Sequence, residues 1–314
     1  MDLRTIFYVL LTIPSLSFAL EQPQARGAPY SPRHPLNRRA IPSDGFYNPL
    51  SNGGAMLTQV SNTFPAGQGE PLNAIISANS DKAVLVDQST SGGLRNYFTS
   101  LGFSSECLGQ HSGSDQAANL GDGNGYLNET AVIRWDYGDP ALGTCQETIK
   151  GGNHFRYWVQ NGKSAKSNAV FLGVSYEKPI SDDHDIIFNG YNLGRDWLVG
   201  NATGGQSIPT LNLTNSSTYS GSTSYNGYSY KTDVSYVSGL LQNTSIGINH
   251  NLTVGGNGIN ACDGLVAVLT VKITAAPAGS KSAASRLQMP ALAWTLLCQL
   301  TLITLIGLPI YTSL

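Results

Sequence analysis

Charged side chains are scarce in this sequence: Asp, Glu, Lys and Arg make up 12% of its 314 residues, and the formal net charge is -2. That is about half the charged fraction of an average globular chain. No run of Lys and Arg concentrates what there is, so the basic face that nucleic acid requires is excluded. Cysteine is sparse too. Cys107, Cys145, Cys262 and Cys298 include no Cys-X-X-Cys pair, so the spacing that builds structural zinc sites is missing and no metal site is assigned. Neither Gly113-Ser114-Asp115 nor Gly173-Val174-Ser175 completes a Gly-x-Ser-x-Gly elbow, which removes the usual serine-hydrolase arrangement. Gly121-Asp122-Gly123-Asn124-Gly125 fits neither a calcium loop nor a phosphate loop ending in Lys-Ser/Thr, and reads as a turn.

What replaces charge is glycine (35 residues) and tyrosine (15), with Ser, Thr and Asn, a composition suited to short strands, turns and a hydrogen-bonding extracellular surface. The chain opens with Met1-Asp2-Leu3-Arg4, an apolar run from Thr5 to Pro14, and Ser17-Phe18-Ala19. A charged head, an apolar segment too short to span a bilayer and small residues before the cut predict a secretory signal peptide over 1–19. Residues 20–40 form a Pro- and Arg-rich arm, ending near the dibasic Arg38-Arg39 and expected to be disordered or removed. At the other end, residues 291–314 carry an apolar tail long enough to cross a membrane, yet no Lys or Arg follows to hold it on the cytoplasmic side. Together with the small and polar residues of the 275–290 linker, this is the pattern of a glycosylphosphatidylinositol (GPI) anchor signal, with Ala278, Ser280 and Ser282 as candidate attachment sites. A retained transmembrane helix is the alternative. Either tether places the folded part at the extracellular face of the plasma membrane or in the cell wall.

Asn-X-Ser/Thr sequons start at Asn128, Asn201, Asn212, Asn215, Asn243 and Asn251, which predicts a largely exposed stretch from 201 to 251. Of the cysteines outside the tail, Cys107 and Cys145 are the preferred disulfide, because the polar, Gly-rich loop between them gains most from closure, on the order of 3 to 4 kcal/mol. Cys262 is then a buried free thiol or the true partner of one of them.

Residues 41–274 are expected to form one α/β or α+β domain, sheet-rich with few helices. Its clearest stretch is a hairpin. In Asn153 to Gln160, Phe155, Tyr157 and Val159 alternate with His154, Arg156 and Trp158, the period of a strand with two different faces. Ala169 to Glu177 is nearly all apolar, a strand buried on both sides, and Asn161-Gly162 opens the loop between them. Further strands are predicted over 71–78, 131–137, 225–236 and 264–273, with one helix over 94–101 stopped by Gly102 and another from Tyr191 to Val199.

The run from Pro71 to Gly102, the strand His154-Phe155-Arg156-Tyr157-Trp158, the apolar strand Val170 to Val174, His184 and Arg195-Asp196 together resemble the bacterial LssY C-terminal domain family over about residues 71–199, with a long insertion around Cys107 to Cys145. That resemblance implies a mixed α/β fold and brings no established reaction. The chain is also similar to secreted, lipid-anchored proteins of filamentous fungi without an assigned activity.

The polar residues that stand out are His154, Arg156, Asp182, Asp183, His184, Asp185, Arg195 and Asp196. Two histidines and an aspartate could ligate a metal; alternatively His184 could act as a general base, with Arg156 or Arg195 binding an anion. The aromatic side chains Trp135, Tyr137, Trp158 and Trp197 are core residues or platforms for a cell-wall glycan. The expected function is a GPI-anchored surface glycoprotein with a structural, adhesive or ligand-binding role. The alternative is an extracellular hydrolase or metalloenzyme using His154, His184 and the aspartates, which requires the two histidines to converge within a few ångströms in a cleft. No cofactor is assigned.

Overall fold

The computed structural model describes residues 40–280 except Ser112. The signal peptide, almost all of the arm, the apolar tail and Ser282 therefore lie outside the described residues. In chain order the elements are β1 (Ala74–Ile76), α1 (Leu94–Ser100), β2 (Phe103–Ser105), β3 (Ala117–Ala118), β4 (Leu127–Asn128), β5 (Ala131–Trp135), α2 (Gly143–Lys150), β6 (Gly152–Val159), β7 (Val170–Glu177), α3 (Gly190–Ala202), β8 (Thr218–Tyr225), β9 (Tyr228–Val237), β10 (Asn243–Thr244), α4 (Asn251–Val254), β11 (Cys262–Asp263) and β12 (Val266–Ala275). Eight strands make one mixed sheet in the order β2-β5-β6-β7-β1-β12-β9-β8, in which only β1 and β12 run parallel. The protein is thus a sheet-rich mixed α/β domain. Among the described residues no helix is long and apolar enough to cross a membrane.

The sheet curls, and α1 shows why. It packs against both β2 and β8, the two outermost strands, and Ser100 Oγ meets Thr223 Oγ1 of β8 at 2.8 Å. Inside the curl, Leu94, Tyr97 and Phe98 of α1 and Leu198, Val199 and Ala202 of α3 pack on Phe155, Tyr157, Leu172, Val174, Leu269 and Tyr230. The helix predicted over 94–101 supplies this face, as its 3–4 spacing requires. In β9 the inward positions are Tyr228, Tyr230, Thr232, Val234 and Tyr236, every second residue. β8 joins it through Asn226-Gly227, both at positive φ (48° and 76°), the twist a two-residue hairpin turn demands.

Much of the outer face is covered by loops: Phe46, Met56, Leu72, Ile248 and Ala261 pack over Ile75, Trp158, Phe171, Val266 and Val268. With cores on both sides, β6 is buried along its whole length except Val159. Its two faces differ as the alternation requires, Phe155 and Tyr157 in the inner core and Trp158 in the outer one, and the side that carries His154 and Arg156 is also buried. β7 is buried on both faces as expected, up to Ser175. The short strands β2, β3, β4, β10 and β11 and the one-turn α4 were not predicted, and two longer elements also escaped the sequence pattern. β8 is a Ser/Thr/Gly strand with little apolar content, and the buried positions of α2 are Gly143, Thr144 and Glu147, which leave no apolar periodicity to detect.

Candidate functional site

Register across three strands builds the site. Arg134 on β5 lies opposite His154 on β6, which lies opposite Ser175 on β7. Directly opposed residues share a face, so these side chains, with Arg156 and Glu177 two positions along, line the outer face where its apolar cover ends. Over them sits α2. Its first residue, Gly143, abuts the Asp136 carbonyl so closely that any side chain would collide, and a Cβ on Gly152 would stand 2.9 Å from Glu147 Cγ. Both glycines let the helix come down onto the sheet. The Cys107–Cys145 disulfide, the expected pair, ties α2 to the turn at Cys107–Gly109, and Cys262 is a buried free thiol.

The fully buried Glu147 reaches from α2 to Arg134, whose Nη1 donates to Glu147 Oε2 at 2.9 Å and to Glu177 Oε2 at 3.2 Å. Glu106, beside Cys107, stands 3.6 Å from Arg134 Nε. Both histidines named from the sequence converge on one carboxylate: His154 Nε2 is 3.5 Å from Glu177 Oε1, and His184 Nδ1 is 3.4 Å from Glu177 Oε2. His184 owes its placement to a tight loop in which Asp183 and His184 both take positive φ. Arg156 pairs with Glu129 at the side of the cluster. Five buried atoms here have no hydrogen-bond partner: Arg134 Nε, Thr144 Oγ1, Glu147 Oε1, His154 Nδ1 and Arg156 Nε. Such groups are rare in folded proteins, and a concentration of them needs a physical account.

The electrostatics follow from burial and from one guanidinium facing several carboxylates. Burial pushes the Glu147 carboxyl up to about 7, Arg134 opposing and Glu177 reinforcing the shift. Burial likewise raises Glu177, against the pull of Arg134 and His184. His154 is held well below its ordinary value by burial and by the positive Arg134 and Arg156 beside it, so it is a neutral imidazole. Burial alone would lower Arg134, but Glu147 and Glu177 raise it overall.

A pH-dependent stability results. The folded state holds a proton on Glu147 that the unfolded chain releases above its ordinary value of 4.5, so stability falls as pH rises from 4.5 to about 7 and this contribution is flat above. His154 works the other way, since the unfolded chain takes up its proton below 6.5. Comparison with Glu147→Gln isolates the first effect, because both proteins keep His154. Urea unfolding in EDTA at several pH values is expected to show the wild type losing stability relative to the variant between pH 5 and 7, with a slope of at most about 1.4 kcal/mol per pH unit. Parallel curves would refute the assignment.

Compared with known protein families, curated proteins and solved structures, the chain matches none.

The remaining candidates are not brought to this cluster. Arg195 and Asp196 on α3 form a buried clamp: Arg195 Nε and Nη2 donate to Asp196 at 2.7 and 2.9 Å, Nη1 and Nη2 to Asp263 at 2.7 and 2.8 Å, and Nη1 to the Leu265 carbonyl at 2.9 Å. Tyr236 Oη donates to Asp196 at 2.7 Å. With every charge engaged inside the fold, an anion-binding role for Arg195 has no free group to use. Asp185 pairs with His250 at 2.7 Å and Lys178 at 3.3 Å, beside a shallow depression of about 400 Å³ that Asp182 and Asp183 also line. The aromatic residues are mostly structural. Trp135 and Trp197 pack edge-on with centroids 4.4 Å apart, and Trp158 is buried with Nε1 donating to the Leu127 carbonyl.

Arg134, Glu147 and Glu177 were missed by sequence reasoning. Arg134 had a signal, a lone charge inside the apolar run Val132-Ile133-Arg134-Trp135. Glu177 looked like the polar exit of a strand, and Glu147 had no signal. Of the sequon asparagines, Asn128, Asn212, Asn215 and Asn243 are exposed and Asn251 is half-buried. Asn201 differs, because its Nδ2 is buried near the end of α3.

Proposed function

We propose that this chain is a GPI-anchored, extracellular surface glycoprotein with a structural, adhesive or ligand-binding role. The observation that carries the reading is the Cys107–Cys145 disulfide, a bond that persists in oxidising compartments. Two features support it. The exposed Asn212 and Asn215 leave room for glycans, and the most reactive side chains, Glu147, His154 and Arg195, are sunk within the fold. Ala278, beyond β12, is exposed, as an anchor attachment site must be.

The hydrolase or metalloenzyme alternative draws on the convergence of His154 and His184 on Glu177. In that reading His184 and Glu177, the partly exposed members, would meet a substrate, with His154 behind them.

Phosphatidylinositol-specific phospholipase C is expected to release the protein from cells expressing the full chain. Mass spectrometry of the released form should find a new C-terminus at Ala278, Ser280 or Ser282, glycans on Asn212 and Asn215, and none on Asn201. An unglycosylated chain ending at Leu314 would sink the proposal.

A further inference from the structure

Glu147, His154 and Glu177 each offer one ligand atom, and these atoms lie within 4.8 Å of one another. The oxygens of the two carboxylates are sorted. Arg134 takes Oε2 of both, while Glu147 Oε1 has no partner and Glu177 Oε1 lies 3.5 Å from His154 Nε2, which also meets Ser175 Oγ at 3.3 Å. Hydrogen bonding within the protein does not account for the free oxygen on a wholly buried Glu147. Charge leads to the same place. Arg134 is shared between Glu147 and Glu177, so a cation on their remaining oxygens would offset the second carboxylate, as buried charges require.

We propose that Glu147, His154 and Glu177 form a divalent-metal site, of the zinc class, enclosed beneath α2. One imidazole nitrogen and two carboxylate oxygens, without thiolate, suit a borderline cation such as zinc better than calcium, which prefers six or more oxygens. Three protein ligands leave a coordination position for water or for a ligand entering past His184, which is 26% exposed. The Cys107–Cys145 disulfide holds α2, and with it Glu147, in place over the other two ligands. The site stands independently of the surface-glycoprotein reading.

A second cluster, His111, Asp115 and Glu129, could also hold a metal, but two of its members are exposed and Arg156 occupies Glu129. It serves as the internal control. The secreted protein, stripped with chelator and equilibrated with zinc chloride, should retain about one equivalent by elemental analysis, and its melting temperature should rise by about 5 to 10 °C at a hundredfold excess over Kd. Asp115→Ala should keep both properties and Glu147→Gln should lose both. Should Glu147→Gln fail to fold, manganese titration of the wild type followed by NMR decides: the ring signals of His154 and His184 should broaden before those of His111 and His250. No retained metal and no shift in melting with zinc would overturn the proposal. So would loss of binding in Asp115→Ala with retention in Glu147→Gln, or His111 broadening first.

Discussion

Arg195→Met is expected to cost about 3 to 5 kcal/mol of unfolding free energy, the largest effect of any single substitution considered. The side chain is fully buried and makes five hydrogen bonds, four to Asp196 and Asp263 and one to the Leu265 carbonyl. It also lies over the Tyr236 ring, 5.2 Å from the centroid. Methionine fills comparable space but leaves a buried Asp196 carboxylate with Tyr236 as its remaining polar partner, and removing one member of a buried ion pair costs far more than the pair contributes. Asp263→Asn should cost less, because that side chain is 24% exposed and water can reach the site. Urea unfolding of the two variants checks both the size and the order. A loss under 1 kcal/mol for Arg195→Met would mean that the clamp is not what joins α3 to β11.

Removing the disulfide with Cys107→Ser and Cys145→Ser together should lower stability by about 4 kcal/mol, from a separation of 38 residues in the chain-entropy model. A local effect should accompany this loss. The buried positions of α2 are Gly143, Thr144 and Glu147, and Ile149 is 61% exposed, so the helix has almost no apolar anchorage of its own. It is held by the disulfide and by the Arg134–Glu147 contact. Hydrogen exchange on the double variant should therefore show protection lost through α2 and retained through β6 and β7. If α2 stays as protected as in the wild type, the disulfide is not what keeps the helix over the cluster.

The hairpin shows how far local pattern reaches. Alternation in β6 and the apolar run of β7 announce two paired strands, and the pairing is as expected. The same alternation separates an apolar face from the one that carries His154 and Arg156, and both are buried. What covers that side comes from α2 and from the loops about residues 106 and 184, which no strand period encodes. The adjacent Arg195 and Asp196 show a second limit of local pattern. Two opposite charges side by side stood either as reactive groups or as partners for the fold, and Arg195 closes onto Asp263, distant in sequence, to make a clamp. His154 and His184 each reach Glu177, a residue that had attracted no notice, and His154 does so from a buried position.

By itself, then, the sequence determined where the apolar strands of the central sheet and the two apolar-faced helices fall, because side-chain period and turn chemistry act over a few residues. It also favoured Cys107 and Cys145 as the bridge, through the length and polarity of the loop they close. Only the tertiary structure decided which charges meet. Strand register places Arg134, His154 and Ser175 in one row, and a helix without an apolar stripe lowers Glu147 onto it. The energy of a buried charge depends on what lies within a few ångströms in space, and separation along the chain says little about that.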